Sequence, residues 1–224
     1  VIDHSSEVPN MPAAPALGPS PAPRASSRRD QILDAAMQCF ASSGFRGTTT
    51  REIAGRVGIT EAALYRHFAS KEALYAAIIA RKIEAPDLTV HLEAAAAAGD
   101  DRAVLSGLAR TLIERVEADP AFIRILLFTA LEGHSLAEPF FAARMLRMRE
   151  FLTGYIARRI REGAFRALDP VLAARAFLGM VSDYMNVRVV FRQQAAYPQP
   201  TAEVVETFVS IFLSGIAAPS GGSS

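Results

Sequence analysis

From Ser27 to Ile216 the apolar residues recur at helical spacing, and nowhere do they alternate over a useful strand length. That pattern restricts the chain to an all-α fold. The helix starts and stops can be read directly. Ser27 with Asp30 forms a capping box ahead of Ile32, Leu33, Ala36, Met37 and Phe40, and Gly44 closes that helix. Thr49 with Glu52 opens a second, short helix that ends at Gly58. Thr60 caps a third through Leu64 and Phe68, and Ser70 caps a fourth that runs towards Pro86. Five more follow, near 101–118, 119–131, 136–162, 170–193 and 202–217. Asp119-Pro120 and Asp169-Pro170 place a cap and a first-turn proline at two of these starts. The run Ala94–Ala98 is of low complexity and favours helix.

Composition sets the other bounds. Residues 1–25 are rich in Pro, Ala and Ser and read as a flexible arm; residues 219–224 read as a loose tail. The single cysteine, Cys39, excludes an internal disulfide and reads as a buried core thiol. No apolar run reaches membrane-spanning length and no export signal is visible, so a cytoplasmic protein with no membrane partner is expected. The histidines are scattered. His134 and Glu138 lie four apart, but two ligands next to Pro139 make a poor metal site. Neither a metal nor a cofactor is expected. There is no glycine-rich phosphate loop and no nucleophile elbow, so the chain does not read as an enzyme.

Gly44 to Lys71 carries the functional signal. A short helix, Gly58, a Thr-capped turn and a second short helix have helix-turn-helix spacing, which presents the second helix to the DNA major groove. Charge agrees. The chain carries a net +1, yet the stretch from Arg24 to Lys71 carries eight basic and four acidic residues, which leaves the remainder net acidic. Thr48, Thr49 and Thr50 offer hydroxyls and amides at a helix start, a surface suited to phosphate. Tyr65 and His67 stand at the exposed end of the third helix. Lys71 opens the fourth, where a cation is unfavourable unless an anion offsets it.

The series Thr48-Thr49-Thr50-Arg51-Glu52-Ile53-Ala54, Val57 to Phe68 and Lys71-Glu72-Ala73-Leu74 resembles the DNA-binding domain of the tetracycline-repressor (TetR) family of bacterial regulators. The resemblance covers about residues 27–75, and Leu64-Tyr65-Arg66-His67-Phe68 followed by Lys71 is its most specific part. It implies a homodimeric, usually repressing transcription factor of nine helices, whose C-terminal domain binds a small molecule that releases the operator. By the same carry-over Thr49, Tyr65, His67 and Lys71 are phosphate contacts, and Thr60, Glu61, Ala62 and Ala63 face the groove. Ala62 stands where the family often has glycine. Arg51 and Arg66 are the two side chains there able to grip a guanine in bidentate fashion.

The expected organisation is therefore a helix-turn-helix domain over 26–72 and a helical ligand-binding and dimerisation domain over 73–218. The eighth and ninth helices are apolar on more than one face, as a two-fold four-helix dimer interface requires. A palindromic double-stranded operator follows from that symmetry. A mostly apolar ligand is expected among Phe122, Leu126, Met145, Met148, Phe151, Tyr155, Phe177, Met180 and Tyr184, with Tyr155 or Tyr184 as hydrogen-bond donor. The competing reading is a helical ligand-binding or enzymatic protein with an unused helix-turn-helix, which would not bind duplex DNA.

Overall fold

The computed structural model describes residues 27–133 and 135–218. Within them the chain forms ten helices and no extended strand. They are α1 (Arg28–Gly47), α2 (Thr50–Val57), α3 (Glu61–His67), α4 (Lys71–Glu84), α5 (Glu93–Ala98), α6 (Asp101–Ala118), α7 (Pro120–Leu131), α8 (138–161), α9 (170–190) and α10 (Thr201–Ile216). The additional helix is α5, built from the alanine run and closed by Gly99 in the left-handed conformation. The expected eighth and ninth helices are thus α9 and α10. The expected arm, tail and His134 fall outside the described residues.

Local chemistry explains most of the boundaries. The Ser27–Asp30 box is formed in both directions. At α2 only half of the expected box is present: Thr49 Oγ1 accepts from the Glu52 N–H at 3.1 Å, while the Glu52 carboxylate faces Arg56 at 3.7 Å. Thr60, Ser70, Asp119 and Asp169 all accept from first-turn amides. Gly44 does not end α1 outright. It breaks the helical run at φ 72°, and one further turn continues to Gly47. Two helices contain a π-helical turn, residues 141–145 in α8 and 186–190 in α9.

Two cores hold the molecule. The first joins Ile32, Leu33, Ala36 and Phe40 of α1 to Ile53 of α2, Leu64 of α3 and Leu74, Tyr75 and Ile78 of α4. It does not stop at residue 72, because Ile125 and Leu126 of α7 and Phe140 of α8 complete it. Each fully buried large side chain contributes roughly 2 kcal/mol relative to exposure. The N-terminal head, α1–α3, is therefore seated on α4 and α7 by apolar packing. The second core is the body: Leu105, Leu108 and Ile113 of α6, Leu152 and Ile156 of α8, Phe177 and Val181 of α9, Val205, Val209 and Phe212 of α10.

Polar bonds reinforce the seat at the kink in α1. Glu132, at the C-cap of α7, accepts from the backbone N–H of Phe45 at 3.2 Å and of Arg46 at 3.3 Å. Arg124, two turns earlier on α7, donates from Nε to the carbonyl of Ala41 at 2.9 Å.

Candidate nucleic-acid interface

The turn between α2 and α3 is fixed at both ends. Gly58 adopts φ 71°, its N–H reaches Gly55 O at 3.2 Å, and the Ile59 N–H reaches Ala54 O at 3.0 Å. That bond pair is a Schellman closure, and φ > 0 is the reason for glycine there. Two residues later Thr60 Oγ1 accepts from the Ala63 N–H at 3.1 Å and starts α3. Leu64 is fully buried and Phe68 nearly so, which sets the roll of α3 about its axis. That roll leaves Ala62, Tyr65, Arg66 and His67 exposed and half-buries Glu61 and Ala63. Thr49, Arg51 and Thr60 are exposed beside them. Arg29 of α1 lies over the Phe68 ring at 4.8 Å, which adds a cation close to α3.

Three expected contacts are placed differently from the simple reading. Thr48 is buried, 1% exposed, and its hydroxyl donates to Gly44 O at 2.8 Å, so it presents no hydroxyl to a phosphate. The reason is the Gly44 kink, which turns that carbonyl towards it. Thr50 Oγ1 donates to the Glu61 carboxylate and lies 3.3 Å from the Tyr65 hydroxyl, so these three side chains tie the start of α2 to α3. Lys71 Nζ donates to Phe45 O at 2.8 Å and Thr48 O at 2.9 Å and sits 4.5 Å over the Phe45 ring. Backbone carbonyls beyond the kink thus supply the negative partner that a cation at a helix start needs.

Comparison with known proteins decides what this face belongs to. Residues 32–78 match the family model described as bacterial regulatory proteins, tetR family, and residues 103–215 match that of the AefR-like transcriptional repressor C-terminal domain. The chain belongs to the TetR family. Over 198 residues, 87% of this chain and 93% of the relative, it is 31% identical to the HTH-type transcriptional repressor KstR2 of Rhodococcus jostii (strain RHA1). Among solved structures it resembles the ketosteroid transcriptional regulator KstR2 of Mycobacterium tuberculosis, with 27% identity, TM-score 0.63, and 87% and 97% of the two chains covered. The TetR-family regulator PfmR from Thermus thermophilus is similar at 25% identity and TM-score 0.66, over 84% of this chain and 97% of that one. As a TetR-family member the protein is a DNA-binding transcriptional regulator, and its named relatives are regulators rather than enzymes.

The nine residues singled out from sequence as ligand contacts fall in more than one packing cluster. Phe122 and Leu126 pack in the head core; Met148, Phe177, Met180 and Tyr184 pack in the body core with Phe151; Met145 touches both. Tyr155 sits with Ala96 and Val104. Of the nine, Phe151 and Tyr155 line a small cleft of about 160 Å³, and none lines the larger cleft of about 650 Å³. Helical spacing brings these residues to core faces, where they pack against their neighbours. The Tyr155 hydroxyl is committed to Asp101 at 2.5 Å, and burial together with that bond pushes its pKa up. Arg159 grips the same carboxylate at 2.8 and 3.0 Å. The Tyr184 hydroxyl accepts from Arg188 at 2.7 Å.

Sequence reasoning missed the larger cleft altogether. Its signal was present as Arg124 inside the apolar run of α7 and Arg188 inside that of α9. Among the described residues no helix is long and apolar enough to cross a membrane, and no group of three or more His, Cys, Asp or Glu could hold a metal.

Proposed function

We propose that this regulator is a dimeric repressor that reads a two-fold symmetric operator with α3 and leaves it when a small molecule binds the body. The observation that carries the reading is the exposed row Ala62, Tyr65, Arg66 and His67 on a helix held down by Leu64 and Phe68. On DNA, Arg66 and Arg51 are the base-reading cations, and Tyr65, His67 and Thr49 touch phosphate. Lys71 acts there through the start of α2, whose preceding carbonyls it holds. The protein works in the cytoplasm, where its operator is.

The dimer forms through α9 and α10. Leu172 is 64% exposed and Ile211 60%, on helices whose opposite faces fill the body core. A Cβ added at Gly179 or Gly215 would meet no atom within 4 Å, so both backbones stand open to a partner helix. For the effector, the solved relative described as a ketosteroid regulator supports a compact, mostly apolar molecule. Two measurements test the reading. Light scattering at micromolar concentration is expected to give twice the chain mass, and a monomer contradicts the dimer. Arg66→Ala is expected to relax discrimination at one base position by about 1–3 kcal/mol, whereas Tyr65→Phe weakens all duplexes alike.

A further inference from the structure

The cleft of about 650 Å³ opens where α1 of the head, the α6–α7 turn and the end of α9 meet. Arg124, Arg188 and Arg192 line it, with Ala121 and Val189 as apolar wall. Its two acidic residues are already engaged: Glu117 pairs with Arg188 at 3.1 Å and Asp119 with Lys82. Among the described residues neither Arg124 nor Arg192 has a carboxylate partner. Cationic charge is therefore in excess inside a concave space of the size that small-molecule sites occupy.

The backbone is irregular at the same place. Arg188 and Val189 lie on the π-helical turn of α9, a deviation that recurs at functional sites. Arg192 is, among the described residues, the one non-glycine with positive φ, at 55°. An L residue with a long side chain pays a steric penalty there that glycine would not. Two departures from regular helix within seven residues thus bring two arginines to one cleft, opposite a third from α7.

We propose that this cleft binds a small organic anion, its carboxylate or phosphate held by Arg124 and Arg192 and its apolar portion laid against Ala121 and Val189. Guanidinium forks match either headgroup. Because Gln38 and Ser42 of α1 line the same space, an occupant touches head and body at once. Its consequence for DNA rests on the ligand-responsive reading above, but binding is measured on the free protein, so failure here leaves that reading standing.

The test is calorimetric titration of the full chain with octanoate, octyl phosphate and 1-octanol. The two anions share their chain with the alcohol and differ in headgroup, so the tighter of the two identifies the anion class. The expected result is binding of at least one anion about tenfold or more tighter than the alcohol, lost by a similar factor in Arg192→Gly and in Arg124→Gln. Arg192→Gly relieves the left-handed strain, so its urea midpoint is expected to be no lower than that of the parent, which separates lost binding from lost folding. Absence of binding by both anions, equal binding by the alcohol, or unchanged binding in a folded Arg192→Gly protein overturns the proposal.

Discussion

The Tyr75 hydroxyl lies 2.5 Å from Thr129 Oγ1, with both side chains buried between α4 and α7. Thr129 also donates to Ile125 O at 2.9 Å, so Tyr75 is the donor of the pair. Burial pushes the Tyr75 pKa up, which keeps that proton in place. The two removals are therefore unequal. Thr129→Val strands a buried O–H and is expected to cost about 1–3 kcal/mol. Tyr75→Phe leaves Thr129 bonded to its carbonyl and is expected to cost about 1 kcal/mol. Urea unfolding of the two variants checks the order.

Gly44 is fixed by its φ of 72° and by the Glu132 carboxylate, which occupies the place of a Cβ. Gly44→Ala is expected to lose about 2 kcal/mol or more, from left-handed backbone strain and from displacement of Glu132 off the Phe45 and Arg46 amides. Glu132→Gln keeps the shape and removes the charge, and is expected to cost less. Denaturant midpoints of the pair test both statements.

Lys71→Ala removes two charge-assisted bonds to Phe45 O and Thr48 O. The expected loss of stability is about 1.5–3 kcal/mol. Since the carbonyls it holds precede α2, DNA affinity is expected to fall by the same factor on specific and unrelated duplexes. Anisotropy titrations on two duplexes, beside a urea melt, read both effects. A loss confined to the specific duplex contradicts this role.

What the sequence made legible were features set by neighbours in the chain. Caps at Ser27, Thr49, Thr60, Ser70, Asp119 and Asp169 depend on one side chain and the next two or three amides, and all six are formed. The face of α3 followed from Leu64 and Phe68 four residues apart. What escaped was set by distant partners. Thr48 turns inward because of a kink that α7 braces from more than eighty residues away. The π-helical turns at 141–145 and 186–190 carry no local residue signature. The nine pocket candidates share helical spacing, which places a residue on a core face but does not say whether the space beyond it is filled.

Cys39 is fully buried, and burial raises its thiol from an ordinary 9.0 to about 11. A raised folded pKa favours the protonated thiol, so its contribution to stability is complete below pH 9.0 and is lost as pH rises towards about 11. The folded protein at pH 8 is expected to resist alkylation by iodoacetamide, with full modification only in denaturant. Mass spectrometry after timed exposure reads this; rapid alkylation of the native chain contradicts it.

In the proposed function α3 reads a symmetric DNA site. Selection of bound duplexes from a randomised pool by the purified protein, followed by anisotropy titration of the enriched duplex across about 50 to 200 mM salt, tests it most directly. The expected result is an enriched sequence with two-fold symmetry, bound with an affinity that falls steeply as salt rises and that is weakened by Arg66→Ala. No enrichment over the starting pool, or binding indifferent to both salt and Arg66→Ala, would contradict it.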